Sequence, residues 1–399
     1  MPVNQINGTD DGETIRTSIR NDLVLALGGD DRIIANAGGN TYDGGDGYDY
    51  LSYAERTVAG TTALHGAVIN YATMLVLNPW GRQDVLNRVE QILGSMFDDA
   101  YQFKGGAPLF QIGQGLAGAD TFSDEVGSNT WLLYREDDDF GGLAGITVRL
   151  GSVSNIAGDV RGTVTDGFGD TDQVSMVHRV EGTARNDRFF GSVLNDHFNG
   201  LGGRDFFNGG GGRDSVYLDN FPDAPQRFAI EVDLALNGGE IINDGFGHTE
   251  TATSIEGILG SLRRDSIRGD AGANFIAGGG GEDRLAGRGG ADDFVYGFFL
   301  SGDEFGDVIQ DFKSGTDKFV LTDIATGNVV LDAIRFTNSS VAGSADQACF
   351  FFDAALHTLF LDIDGADGLA PAVGIARLIG VTAMTAHDIQ SVDFFDYWG

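Results

Sequence analysis

Between residues 182 and 217 the apolar positions recur every nine residues, at Phe189, Phe198, Phe207 and Val216. Two residues before each stands an acid, Asp187, Asp196, Asp205 and Asp214, and every unit opens on glycine: GTARNDRFF, GSVLNDHFN, GLGGRDFFN, GGGGRDSVY. Nine fits neither the period of a helix, about 3.6, nor that of a strand, about 2, so each unit reads as a tight turn plus a short strand. The register extends over 8–52, where the acid places are Glu13, Asp22, Asp31, Asn40 and Asp49 and the apolar places Ile15, Val24, Ile33, Tyr42 and Leu51. A third run, 260–295, carries Asp265, Asn274, Asp283 and Asp292 in the acid places and Ile267, Ile276, Leu285 and Phe294 in the apolar ones. Self-similarity at a short fixed period marks a solenoid whose units bury their apolar faces only against neighbours. The expected fold class is all-β: a parallel β-roll with 18 residues per coil, both rows of apolar places facing inward.

The segments between the runs read differently. Val85, Val89, Ile92 and Leu93 in 82–96 recur at helical spacing. The overlapping stretch RVEQILGSMFDD nevertheless has a counterpart in TSIEGILGSLRRD at 253–265 and an echo in RVEGTARND at 179–187, which read as strands returning into the roll. Helix and strand both stay open for 82–96. A larger duplication pairs 145–182 with 228–257, each passing through Asp-Gly-Phe-Gly (166–169 and 244–247) to a return strand. Insertions of this kind leave a solenoid on one face. GLAGADTF at 115–122 reads as an isolated turn with Asp120 in the acid place. Beyond 297, DVIQDFKSGTDKFVLTDI and ACFFFDAALHTLFLDIDGADG read as short strands between Gly/Asp turns that protect the roll's open end. The expected organisation is 1–52 a degenerate N-terminal roll, 53–181 an irregular β-rich insertion, 182–227 a central roll, 228–259 excursion strands, 260–296 a third roll and 297–399 a C-terminal cap.

Composition sharpens this picture. The chain has 62 Gly against 6 Pro, which excludes collagen, and its 42% apolar content with 28 Phe argues against wholesale disorder. Acids outnumber Lys plus Arg by 59 to 25, for a formal charge of -34. That balance excludes nucleic acid and anionic membranes as natural partners. A compact chain so charged repels itself unless its acids bind counter-ions. The single Cys349 excludes an internal disulfide and a cysteine zinc site. The start, MPVNQINGTDDGETI, lacks the basic-then-apolar pattern of a Sec signal, and no window has the length of an integral membrane segment.

The cation follows from the stacking. Acid places two units apart, such as Asp187 with Asp205 or Asp196 with Asp214, would lie roughly 4.8 Å apart along the roll. Carboxylates that close raise one another's cost of ionisation unless a cation lies between them. Glycines at the first, second and fourth places permit positive φ, and turn carbonyls beside the carboxylate can complete the about six to eight hard oxygens that calcium takes. The expected ligands of several Ca2+ ions are Asp22, Asp31, Asp49, Asp187, Asp196, Asp205, Asp214, Asp265, Asn274, Asp283 and Asp292. The competing reading is a glycine-rich solenoid whose Asp side chains cap their own backbone, and it suits 8–43 best. Asp362, Asp364 and Asp367 in DIDGADG read as a turn, because the glycine and final glutamate of an EF-hand loop are missing.

No catalytic residue stands out. The chain has no H-E-x-x-H, no G-x-S-x-G and no Walker A sequence. His197, between the acid and apolar places of its unit, reads as facing solvent. Paired carboxylates of the glycosidase kind stay open in a chain with 59 acids.

The three runs and the tail resemble the secreted calcium-binding repeats-in-toxin proteins of Gram-negative bacteria. ADDFVYG at 291–297 with GDVIQDFKSGTDKFVL at 306–321 resembles the segment after the last repeats of serralysin-type proteases, and 377–399 resembles their C-terminal secretion region. The resemblance implies export by ABC-type (type I) secretion machinery, calcium-driven folding outside the cell, and a structural or adhesive role toward cell-surface glycan or matrix. The zinc-binding helix of the proteases is missing, so their activity is not implied. The alternative is a secreted polysaccharide-modifying enzyme (epimerase, lyase or hydrolase) with its site in 53–181.

Overall fold

The fold is that of a computed structural model, which describes residues 3–58, 60–105, 111–125, 130–151, 160–218, 227–297, 306–322, 335–337, 349–362 and 372–392. The chain divides into two units, 1–201 and 202–399.

The first unit is built on two ladders of short strands. One is parallel throughout: Thr14–Arg16, Arg32–Ile34, Tyr50–Ser52, Gln91–Leu93, Gln111–Gln114, Thr130–Leu133, Arg179–Glu181 and His197–Asn199 lie side by side in that order. Its register steps by one coil, with Ile15 beside Ile33, Ile33 beside Leu51 and Val180 beside Phe198. The other starts in parallel, Asn4–Asn7 to Asp22–Leu25 to Thr41–Asp43 to Gln83–Asn87, and then absorbs the insertions. Val68–Asn70, Leu75–Leu77 and Gln83–Asn87 form an antiparallel meander within it, as do Thr147–Arg149, Arg161–Thr165 and Thr171–Ser175. Three antiparallel strands restore the original direction, so Val68–Asn70 pairs in parallel with Ala100–Gln102 and the solenoid continues.

The second unit repeats the plan. Ser215–Tyr217, Gly257–Leu259, Phe275–Ala277, Asp293–Tyr296, Lys318–Thr322 and Ile389–Val392 form its parallel ladder. In its other ladder the meander is Glu231–Asp233, Glu240–Asn243 and Glu250–Thr253. The cap adds the antiparallel strands Cys349–Asp353, Thr358–Asp362 and Val373–Leu378, the last pairing in parallel with Asp307–Ile309. The expected all-β roll is what forms, and the antiparallel meanders of each unit lie in one of its two ladders. The DIDGADG turn beyond Asp362 and the terminal DFFDYWG lie outside the described residues.

The helical reading of 82–96 is replaced by strands Gln83–Asn87 and Gln91–Leu93. Burial alternates along 83–87, a two-residue period, and Arg88 turns the chain through φ +47. The apparent helical spacing came from two strands read across that turn.

The core is the row of apolar places. Val24, Ile33, Tyr42, Leu51, Phe189, Phe198, Phe207, Val216, Ile267, Ile276 and Phe294 are all fully buried. Phe189 and Phe198, from opposite ladders of the first unit, meet with ring centroids 5.2 Å apart. Phe198→Ala is expected to cost about 3–5 kcal/mol, the range for emptying a large aromatic site. Urea unfolding in saturating calcium measures it, and a loss below about 1 kcal/mol would mean that this row is not the core.

Candidate metal centre

Every residue expected as a ligand is buried: Asp22, Asp31, Asp49, Asp187, Asp196, Asp205, Asp214, Asp265, Asn274, Asp283 and Asp292 are each at most 4% exposed. Within each unit acid places are joined into columns by one recurring bond, in which an oxygen of one acid place accepts the backbone N–H of the acid place one coil earlier. Asp31 Oδ1 accepts the Glu13 amide at 2.9 Å and Asp49 Oδ1 the Asp31 amide at 3.0 Å. Asn40 Oδ1 takes the Asp22 amide, Asp283 Oδ1 the Asp265 amide, and Asp292 Oδ1 the Asn274 amide. Each spans 18 residues, the expected coil. The pairs Asp187 with Asp205 and Asp196 with Asp214 straddle the division between the units.

The columns run on through residues that the nine-residue register did not reveal. Asp84 accepts the Asn40 amide, Glu90 the Asp49 amide and Glu256 the Asp214 amide. Asp307 and Asp317 extend the columns of Asp283 and Asp292. Asp120 is not isolated: its Oδ1 accepts the Asp99 amide at 2.7 Å, and its own amide donates to Asp172 Oδ1 at 2.9 Å. Asp99 had a legible signal, because GSMFDD aligns with GSLRRD and so with Asp265. Asp84 and Asp172 had none, since they ride on the third strand of a meander and reach the column only through tertiary pairing.

His197 is a correction. It is 2% exposed rather than facing solvent, and parallel pairing sets it beside Arg179, which is also buried.

The Asp-Gly-Phe-Gly turns have a local role. Asp166 Oδ1 accepts the amides of Phe168, Gly169 and Asp170, and Asp244 Oδ1 those of Phe246, Gly247 and His248. Each fastens the bend between the last two strands of a meander.

Burial weighs on the ionised columns. It is the largest cause that pushes Asp49 up to about 6, Asp84 to about 7, Asp172 to about 8 and Asp283 to about 9, the last also facing Asp307. Asp99 and Asp120 are raised by burial too, and Asp120 further by Asp99 and Asp172. Water cannot reach these groups, and the second oxygens of Asp31, Asp49, Asp120 and Asp283 have no hydrogen-bond partner among the described residues. A buried carboxylate oxygen left unmatched is costly. A hard cation resolves both problems, by neutralising the column and ligating the spare oxygen. No three His, Cys, Asp or Glu side chains among the described residues converge to hold a metal. The donors beside each carboxylate would then be backbone oxygens, which calcium accepts and zinc does not favour.

Columns of stacked carboxylates on a two-ladder parallel roll place the chain among β-roll repeat proteins. The RTX calcium-binding nonapeptide repeat (4 copies) family matches residues 7–51 and 181–217, and the Peptidase M10 serralysin C terminal family matches residues 257–390. The chain thus carries RTX-type calcium-binding repeats followed by a serralysin-type C-terminal domain, and the matches bring no protease catalytic domain with them. No curated protein matches the chain. Among the described residues no helix is long and apolar enough to cross a membrane.

Proposed function

We propose that this is an extracellular structural or adhesive protein that folds on binding several calcium ions after export by type I secretion machinery. The observation that carries the reading is the set of buried, unmatched carboxylate oxygens on Asp31, Asp49 and Asp283. They would hold calcium, whose charge offsets the like-charge repulsion of the columns. A chain of formal charge -34 stays expanded where calcium is scarce. Weak sites fill where calcium is near millimolar, and the bound ions then stabilise the fold by mass action. Cell-surface glycan or matrix is the partner this role calls for. The test is equilibrium dialysis of the full chain against calcium chloride at neutral pH. Several ions per chain are expected; at most one would defeat the proposal. Turnover of a uronate polymer or another glycan by the same sample would move the function to a polysaccharide-modifying enzyme.

A further inference from the structure

The acid-place side chains differ in what their second oxygen meets, and the difference follows the second residue of the turn. Where that residue is Ser or Thr, the turn closes on its own carboxylate. The Ser18 amide donates to Asp22 Oδ2 at 2.7 Å and its hydroxyl to Oδ1 at 2.8 Å. Ser95 does the same to Asp99, Thr183 to Asp187 and Ser261 to Asp265. The Ser192 amide donates to Asp196 and the Asp270 amide to Asn274 Oδ1. These hydrogens point at the place a cation would need. Acids carried on meander or cap strands have no such turn and are closed by tyrosine instead: Tyr53 donates to Asp84, Tyr134 to Asp172 and Tyr296 to Asp307, all at 2.8–2.9 Å.

In another set of turns the second residue is left-handed. Leu27 has φ +82, Gly45 +111, Leu116 +79 and Gly279 +83, in turns 26–31, 44–49, 115–120 and 278–283. Leu201 at +59, Gly210 at +97 and Arg288 at +69 share the conformation in turns 200–205, 209–214 and 287–292. The acids of the first four turns are Asp31, Asp49, Asp120 and Asp283, at most 1% exposed, and the Oδ2 of each is unmatched among the described residues. The oxygen looks into its own turn: a Cβ on Gly44, Gly115 or Gly278 would overlap the carboxylate of Asp49, Asp120 or Asp283. Left-handed φ swings the second amide away from the carboxylate and leaves the hollow without a donor. Glycine adopts that φ freely; Leu27 and Leu116 hold it against their Cβ.

We infer that a left-handed second residue marks the turns that take calcium, 26–31, 44–49, 115–120 and 278–283 among them, and that the Ser/Thr turns are closed without one. The inference rests on the calcium reading above and narrows it. It places a calcium site at Asp120, outside every segment matched by the two families. It also removes Asp22, Asp187, Asp196, Asp265 and Asn274 from the expected ligands.

The test counts calcium ions per full-length chain by isothermal titration with calcium chloride, with circular dichroism of each calcium-loaded variant confirming the roll. Asp120→Asn and Asp283→Asn are expected to lower the count, and Asp22→Asn and Asp265→Asn to leave it unchanged. The sharper pair is at Leu27, whose side chain is 47% exposed and contributes little core. Leu27→Ser supplies the closing hydroxyl, which favours turning the existing amide back onto Asp31, and is expected to lose an ion, whereas Leu27→Gly keeps it. A full count in Leu27→Ser, or equal losses in Asp265→Asn and Asp283→Asn, overturns the rule while leaving calcium binding itself standing. No binding by the unaltered chain overturns both.

Discussion

Chelation of calcium at neutral pH with EGTA is expected to abolish most of the far-ultraviolet strand signal of this protein, and calcium chloride to restore it. The physical reason is that the roll stacks acids in its interior. Asp31, Asp49 and Asp283 are buried, one oxygen of each is spent on the neighbouring coil and the other has no partner among the described residues. Without a cation each column must hold ionised carboxylates in contact, or protonate them against a pH well above their ordinary range. Ordinary apolar burial by the row of apolar places opposes this, but single-domain stabilities amount to only about 5–15 kcal/mol, so a few uncompensated buried charges are decisive. The loss should be cooperative, because each coil is supported only by its neighbours. An unchanged spectrum in excess EGTA would show that the columns are closed without metal throughout.

The second large effect is on pH. Calcium-free protein is expected to be more stable near pH 5 than near pH 8, with a higher urea midpoint in EDTA at the lower value. Burial lifts Asp49 to about 6, Asp84 to about 7, Asp172 to about 8 and Asp283 to about 9 in the folded chain, whereas an unfolded Asp titrates near about 3.9. Between these limits the folded state holds more protons than the unfolded one, so stability falls as pH rises. The protonated columns contribute fully below about pH 4, and their contribution is lost as pH climbs through the folded values. Asp233, held down by Arg288, works in the opposite sense and weakens the fold only under strong acid. Calcium reverses the order, since protons compete with it for the same oxygens. A higher midpoint at pH 8 than at pH 5 in EDTA would mean that the columns are not desolvated as described.

The nine-residue recurrence of Asp and Phe was enough to establish the coil length, the parallel pairing and the inward row, because a solenoid's contacts are nearly local. Ile33 meets Ile15 and Leu51 one coil away, a relation that spacing alone encodes. The DGFG duplication likewise announced that the insertions share one design. Three things were decided only in three dimensions. Residues 82–96 became two strands because each could pair with a coil already in place, at Thr41–Asp43 and Tyr50–Ser52. Asp84 and Asp172 joined the acid columns because three antiparallel strands returned them to the ladder, outside the nine-residue register. The division of the acids into closed and open turns depended on backbone φ at the second place, where Ser18 announces its closing hydroxyl but nothing in Leu27 or Leu116 announces a left-handed turn. A period records which residues stack; the direction in which an amide points is set by torsions that the stacking itself imposes.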